Sequence, residues 1–272
     1  MKNPINPQTV MCISLAARPS PFGMTVHNAG YQALGLNFFY KAFAPKDLKG
    51  AIAGVRSLGI RGCSVSMPFK EEVVKYLDRL DPAARAIGAV NTIVNENGKL
   101  TGYNTDALGA RQAIAEAKID RRCRVLLLGS GGVARAIVYA LKDLGFKDVT
   151  VANRSPARVR ALKKIFPVKV CAWPERNAFR ADFIINATSI GMTPKTDEMP
   201  VAKEALKYCR AVQDVVISPL QSCLIAQARR MKKTVVPGHQ MSLYQAMAQF
   251  KLYTGHAAPE AAMRKAMMDL LS

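Results

Sequence analysis

The chain has little of what metal centres and disulfide frameworks are made from. Its 272 residues include three histidines and six cysteines. His27, His239 and His256 lie far apart, and Cys12, Cys63, Cys123, Cys171, Cys209 and Cys223 form no C-x-x-C pair. Structural zinc needs closely spaced thiolate and imidazole ligands, so no metal is expected. Thiols scattered singly through apolar stretches suit a reducing compartment, and a cytoplasmic protein is expected. No apolar run approaches the roughly 20 residues that span a bilayer, so no membrane partner is expected. Residues 9–17 are apolar, but only Lys2 before them is basic, and Pro4 and Pro7 interrupt the approach. A secretion leader has a basic start and an unbroken apolar core, so this segment reads as a first buried strand instead.

Acidic residues are also few. Lys and Arg number 39 against 19 Asp and Glu, a formal net charge of +20. The bases come in dispersed pairs such as Arg121-Arg122, Lys163-Lys164, Arg229-Arg230 and Lys232-Lys233. There is no basic block and no aromatic-interleaved motif, so nucleic acid is not an expected partner. The surplus suits anionic small molecules, such as a phosphorylated cofactor and a carboxylate.

What is present is an α/β rhythm. Half of the residues are hydrophobic, enough for a substantial core. Residues 124–128 form a short apolar run, a glycine-rich turn follows, 135–144 carries helical spacing up to Gly145, and 148–152 is apolar again. Strand, glycine turn, helix and strand within about thirty residues make one βαβ unit. Further strands are expected at 168–171, 182–187, 212–217 and 234–236, with helices at 156–165, 203–207 and 220–230, which predicts a doubly wound parallel sheet. Before this region, strands are expected at 36–42, 62–66 and 89–95, and helices at 47–58 and 70–80. Asn97-Gly98 reads as a hairpin turn between 90–94 and 100–103. Residues 241–254 are strongly helical, and 193–200 is a polar loop.

The turn Gly129-Ser130-Gly131-Gly132-Val133-Ala134 contains G-x-G-x-x-A. The first glycine permits a tight turn, the second lets backbone approach a pyrophosphate, and the small third residue lets helix and strand pack closely. The helix N-terminus then faces the phosphates. This position after a strand and before a helix is the context that makes the motif a dinucleotide site. The second strand ends in Asn153-Arg154-Ser155, with Arg158 one turn on, rather than in a carboxylate. Arginine is suited to a ribose 2′-phosphate, so NADP is the expected cofactor.

Three other strings put polar groups at strand ends: 64–71 (SVSMPFKE), 88–92 (GAVNT) and 102–106 (GYNTD). Lys70, read just inside a helix start, is poorly placed for helix electrostatics and wants an acidic partner, for which Asp106 is the candidate. Together with N-A-T-x-x-G-M at Asn186 to Met192 and Gly238, Met241 and Gln245, these strings resemble the shikimate/quinate dehydrogenase family over nearly the whole chain. The resemblance implies a Rossmann NADP-binding domain at 106–238. It also implies a discontinuous α/β substrate-binding domain from 1–105 and 239–272, with the active site in the cleft between the two. It implies reversible hydride transfer between NADP(H) and a ring hydroxyl of a cyclic polyol carboxylate, shikimate or a relative such as quinate or aminoshikimate. Lys70 and Asp106 become the catalytic pair, and Ser20, Thr25, Ser66, Asn91 and Gln245 substrate-binding residues. Thr188, Met192 and Met241 join the 129–134 turn and Asn153, Arg154, Ser155 and Arg158 around the cofactor. A monomer or homodimer is expected.

The sequence departs from the family at the carboxylate segment. The usual Ser-x-Ser-Pro becomes Arg18-Pro19-Ser20-Pro21, with a gap before His27-Asn28. Ser64 replaces an Asn, Ile217 a Tyr and Gln240 a Gly. These changes mark a divergent, shikimate-dehydrogenase-like branch. They also open a second reading, a catalytically weak NADP- or polyol-carboxylate-binding protein with a regulatory role.

Overall fold

The computed structural model describes residues 5–272, so Lys2 and Pro4 lie outside the described residues. The chain divides into two compact units, one running up to Thr105 together with Gln245–Leu270, the other Asp106–Tyr244.

The first unit opens with β1 (Val10–Leu15), α1 (Pro21–Ala33), β2 (Phe38–Phe43), α2 (Leu48–Ser57) and β3 (Gly62–Val65). It continues through β4 (Arg79–Leu80), α3 (Pro82–Ile87), β5 (Thr92–Glu96) and β6 (Lys99–Tyr103). The strands form a mixed sheet in the order β2-β1-β3-β5-β6-β4. β1 pairs in parallel with β2 and β3, whereas β3–β5 and β5–β6 are antiparallel. Asn97 and Gly98 both adopt positive φ (52° and 82°), the geometry a two-residue hairpin needs to match strand twist. Helix starts are capped by side chains: Ser20 for α1, Asp47 for α2 and Asp81 for α3, each accepting from backbone N–H groups one turn in. The core gathers Ile13, Leu15, Ile52, Val55, Val65, Val73, Val90, Ile93 and Leu100.

α4 (Thr105–Glu116) leads into the second unit. There β7 (Val125–Leu128), α5 (Gly132–Asp143), β8 (Val149–Ala152), α6 (Pro156–Ile165), β9 (Lys169–Cys171) and β10 (Phe183–Asn186) follow. β11 (Ala211–Asp214), α7 (Cys223–Arg230) and β12 (Thr234–Val236) complete it. All its strand pairs are parallel, in the order β12-β11-β10-β7-β8-β9, the doubly wound arrangement with its switch point at β7/β10. The four residues of β7 are all 0% exposed, as an apolar run covered on both faces requires. α8 (Gly238–Thr254) begins in this unit and carries the chain back to the first, where α9 (Glu260–Leu271) follows.

Several segments differ from the sequence reading. Residues 70–80 are not a helix. They form a turn, a short 3-10 segment at Glu72–Tyr76, and β4. Strand pairing wins over local periodicity: Arg79 and Leu80 register with Thr101 and Gly102, and the Asp78 carboxylate accepts the Leu100 N–H at 2.7 Å. Lys70 therefore does not stand at a helix start, and the electrostatic reason given for its needing a partner falls away. α1, α3 and α4 were not anticipated, although Ser20-Pro21 and Asp81-Pro82 are cap-and-first-turn pairs. α5 also starts at Gly132 rather than at residue 135, which puts the whole glycine motif at its first turn.

Candidate functional site

In the first unit, polar residues collect where β1 and β3 end, β5 begins and β6 ends. Backbone bonds hold the loops together there. Ala17 N–H donates to Met67 O (3.2 Å), Ser66 N–H to Leu15 O (2.9 Å), and Val65 N–H to Asn91 O (2.8 Å). Val90 N–H donates to Lys70 O (2.8 Å), and Asn91 N–H to Tyr103 O (3.1 Å). The segments carrying Ser20, Ser66, Lys70 and Asn91, and the residues just before Asp106, thus share one end of one sheet.

Asn91 is the centre of this group and is 1% exposed. Its Oδ1 accepts from Thr105 N–H (2.7 Å), Thr105 Oγ1 (3.1 Å) and Thr92 Oγ1 (2.9 Å). Its Nδ2 is buried with no hydrogen-bond partner. A buried amide donor left unpaired costs about 1–3 kcal/mol, so an acceptor brought beside Asn91 Nδ2 would be favoured. Gln245, half-buried on α8, donates its Nε2 to Gln249 Oε1 at 3.2 Å, which leaves its own Oε1 to accept.

The other expected residues are placed as follows. Lys70 is half-buried in the turn after β3, and Ser66 is exposed at that strand's end. Ser20 Oγ accepts from Phe22 N–H (3.1 Å) as the α1 cap, and its hydroxyl hydrogen is available to an anion. Thr25 is half-buried in the same helix. Asp106 is buried at 6% exposure in the first turn of α4.

Sequence reasoning missed the residues packed behind this cluster. His27, fully buried on α1, stacks on Tyr40 with ring centroids 4.6 Å apart and 2° between planes. Its Nε2 lies 3.2 Å from Gln249 Oε1. Burial holds the imidazole down to about 4, against the pull of the Gln249 hydrogen bond, so it is neutral at ordinary pH. The sequence carried only one piece of this: Gln245 and Gln249 are spaced i,i+4 and share one helix face, but nothing in it pairs them with His27.

The second unit holds the glycine turn. Gly129 has φ +116°, and a Cβ there would lie 2.6 Å from Ala187 O, so no other residue fits. Beside Gly131 a Cβ would meet nothing within 4 Å, and no side chain caps the α5 N-terminus. Ser130 is 4% exposed and its Oγ has no partner. Open space, an uncapped helix start and an orphaned hydroxyl together fit a diphosphate. Ala134 is fully buried against the sheet, while Val133 is half-buried in the first turn.

At the tip of β8, Asn153 Nδ2 donates to Ser155 O (3.5 Å), while Arg154 and Arg158 are exposed. Arg154 lines a cavity of about 330 Å³ with Val159, Cys171 and Trp173. The loop after β10 is closed by Thr188, whose Oγ1 donates to Asn186 Oδ1 (2.6 Å) and accepts from Ile190 N–H (3.1 Å). Asn186 in turn donates to Asp214 Oδ1 (2.9 Å), and Ser222 Oγ donates to Asp214 Oδ2 (2.6 Å). Burial raises the Asp214 carboxyl to about 6, with these hydrogen bonds opposing the rise. Met192 is exposed, and Met241 is buried with its Sδ 3.7 Å from Gln213 Nε2. Gln240 donates to Glu116 Oε2 on α4 (2.9 Å), and the Tyr244 hydroxyl donates to the same carboxylate.

Three family models match the chain in succession. They are a shikimate dehydrogenase substrate binding domain at residues 20–93, shikimate / quinate 5-dehydrogenase at 113–217, and a shikimate 5′-dehydrogenase C-terminal domain at 238–268. A shikimate dehydrogenase-like protein of Haemophilus influenzae is 42% identical over 94% of this chain and 94% of its own length. Shikimate dehydrogenase (NADP(+)) of Moorella thermoacetica is 40% identical, covering 90% of this chain and 88% of its own. A solved structure of a shikimate dehydrogenase in complex with NADP+ superposes with a TM-score of 0.91 at 36% identity, over 98% of each chain.

Proposed function

This chain belongs to the shikimate dehydrogenase family, and from that premise we propose that it is an NADP-dependent oxidoreductase. It transfers hydride reversibly between NADP(H) and a ring hydroxyl of shikimate or a closely related cyclic polyol carboxylate. The observation that carries the reading is the unpaired Nδ2 of Asn91, a buried donor at the sheet end where the Lys70 loop is anchored.

The chemistry that NADP+ would supply when bound is hydride acceptance from the carbinol carbon. The turn 129–134 and the α5 N-terminus would hold its diphosphate, with Asn153, Arg154, Ser155 and Arg158 at the 2′-phosphate. Thr188, Met192 and Met241 would line the remainder of the cofactor. The protein's own task is the hydroxyl proton. As the C–H pair leaves, the O–H bond breaks and its proton passes to Lys70 or Asp106 and on to water, leaving a ketone. Asn91 Nδ2 donates to one ring oxygen, and Gln245 Oε1 accepts from a hydroxyl. Ser20, Thr25 and Ser66 supply hydroxyl donors for the carboxylate end. Pairing buried donors and acceptors with a polyol gives more discrimination than apolar fit would, because an analogue lacking a hydroxyl strands them.

The net positive charge favours capture of both anionic ligands. A small molecule is the partner, the cytoplasm the compartment, and a monomer or homodimer the assembly. Among the described residues no helix is long and apolar enough to cross a membrane.

The test is NADPH formation, followed at the nicotinamide absorbance band, with NADP+ against shikimate and quinate in parallel. Saturable turnover of shikimate or quinate is expected. Saturable binding of both without turnover would replace the enzyme with a sensor.

A further inference from the structure

Gln249 is 2% exposed, and its side chain lies within hydrogen-bond distance of five residues. Its Nε2 faces Thr92 Oγ1 (2.9 Å), Ser64 Oγ (3.2 Å) and the Asn91 backbone carbonyl (3.3 Å). The carbonyl can only accept, so it fixes which end of the amide is nitrogen. Oε1 then points at His27 Nε2 and receives Gln245 Nε2, both at 3.2 Å. A neutral His27 therefore carries its hydrogen on Nε2, and its Nδ1 is the atom left without a partner. His27 is itself held by stacking on Tyr40 and ringed by Tyr31 and Tyr253.

The consequence travels two ways from Gln249. Toward α8, its Oε1 ties down the Gln245 NH2, which turns the Gln245 carbonyl outward as the free acceptor. Toward β5, its Nε2 occupies a lone pair of the Thr92 hydroxyl, which in turn lies 2.9 Å from both Asn91 Oδ1, to which it donates, and Thr105 Oγ1. With the Thr105 N–H also on Oδ1 at 2.7 Å, the Asn91 carboxamide has one orientation, Nδ2 outward.

We propose that Gln249 is a positioning residue for substrate: through Thr92 it aims the Asn91 donor, and directly it aims the Gln245 acceptor. This rests on the functional reading above but assigns a residue that touches neither substrate nor cofactor. It also sets a chemical requirement. The ring group at Asn91 must accept a hydrogen bond, so a hydroxyl or carbonyl oxygen fits there and an ammonium does not.

Gln249→Glu keeps the size and the acceptor but deletes the donor to Thr92 and Asn91. The expected result is a shikimate kcat/KM lower by about 10- to 100-fold, the effect of misaligning one or two buried hydrogen bonds, carried mainly by KM. The KM for NADP+ should not move. Thr92→Val breaks the arm to Asn91, along with the 2.9 Å contact to the Thr105 hydroxyl, and leaves the Gln245 arm in place; it should also raise the shikimate KM, and Thr92→Ser, which keeps the hydroxyl, should restore most of it. NADP+ binding by calorimetry reports that each variant is folded. If Gln249→Glu does not fold, the Thr92 pair alone decides. A folded variant with wild-type shikimate KM, or parallel rises in both KM values, overturns the assignment while leaving the enzyme reading intact. Wild-type protein that binds NADP+ but neither binds nor turns over shikimate or quinate brings down both.

Discussion

The two units present ligand groups by different means. In the second, the proposed diphosphate cradle comes from a single contiguous stretch: β7, the 129–134 turn and the first turn of α5 follow one another, and the sheet is parallel throughout. In the first, the corresponding polar cluster is drawn from α1, the ends of β3, β5 and β6, and α8, more than 200 residues apart at the extreme, as in the |i−j| of 222 between His27 and Gln249. The first unit's sheet is mixed, and two of its strand pairs run antiparallel. If the proposed roles hold, the phosphate cradle would tolerate side-chain change, because N–H groups and open space would do the binding, whereas the polyol cluster would not, since its amide orientations depend on one another.

The largest test of that contrast crosses the two regions. Lys70→Ala should lower kcat by roughly 10²–10⁴, the usual worth of proton-transfer catalysis, and leave NADP+ affinity near wild type. Arg154→Ala should do the reverse, losing roughly 1.5–3 kcal/mol of NADP+ binding while NAD+ binding stays level. Steady-state kinetics with titration of both cofactors reads the two together. A Lys70 variant with unaltered turnover, or an Arg154 variant that loses both cofactors equally, would erase the division of labour.

The difference also decides what could be read from sequence. The strands of the second unit were legible because they carry local signatures: the all-buried run at β7 and the glycine spacing that follows it. The Asn97-Gly98 hairpin was legible for the same reason. Residues 70–80 misled because helical spacing of Val73, Val74, Leu77 and Leu80 is also what a 3-10 turn followed by a strand needs, and only pairing with β6 separates the two. The network through Gln249 was invisible for a deeper reason. Nothing local to His27, Ser64, Thr92 or Gln249 says that they meet, because their meeting is a product of the sheet order β1-β3-β5 and of α8 returning to the first unit.

A smaller effect is expected at Asp214, which anchors the loop after β10. Its carboxyl is raised from the usual 3.8 to about 6, chiefly by burial. A group whose folded-state value is raised adds stability that is complete below 3.8 and lost as pH rises through about 6. Wild-type stability should therefore fall between about pH 4 and 7 from this group alone, on the order of 3 kcal/mol. Asp214→Asn keeps the acceptor for Asn186 and Val216 and removes the titration. Relative to wild type, its melting temperature should gain with rising pH across that window; parallel profiles for the two proteins would show that the charge at Asp214 is not what matters.

Ser20 gives the smallest change, and it asks whether one side chain in the first unit has two jobs. Its Oγ accepts the Phe22 N–H as a helix cap, which uses a lone pair and leaves the hydrogen for a substrate carboxylate. Ser20→Ala loses both roles, whereas Ser20→Gly loses the hydroxyl but costs only a few tenths of a kcal/mol in capping. If the hydroxyl meets the carboxylate, both variants raise the shikimate KM alike, while only Ser20→Ala destabilises the protein by about 1 kcal/mol. If Ser20 is a cap and nothing more, KM stays at the wild-type value in Ser20→Gly. The recognition of the carboxylate would then fall to Thr25 and Ser66, one on the helix that Ser20 starts and the other at the end of β3.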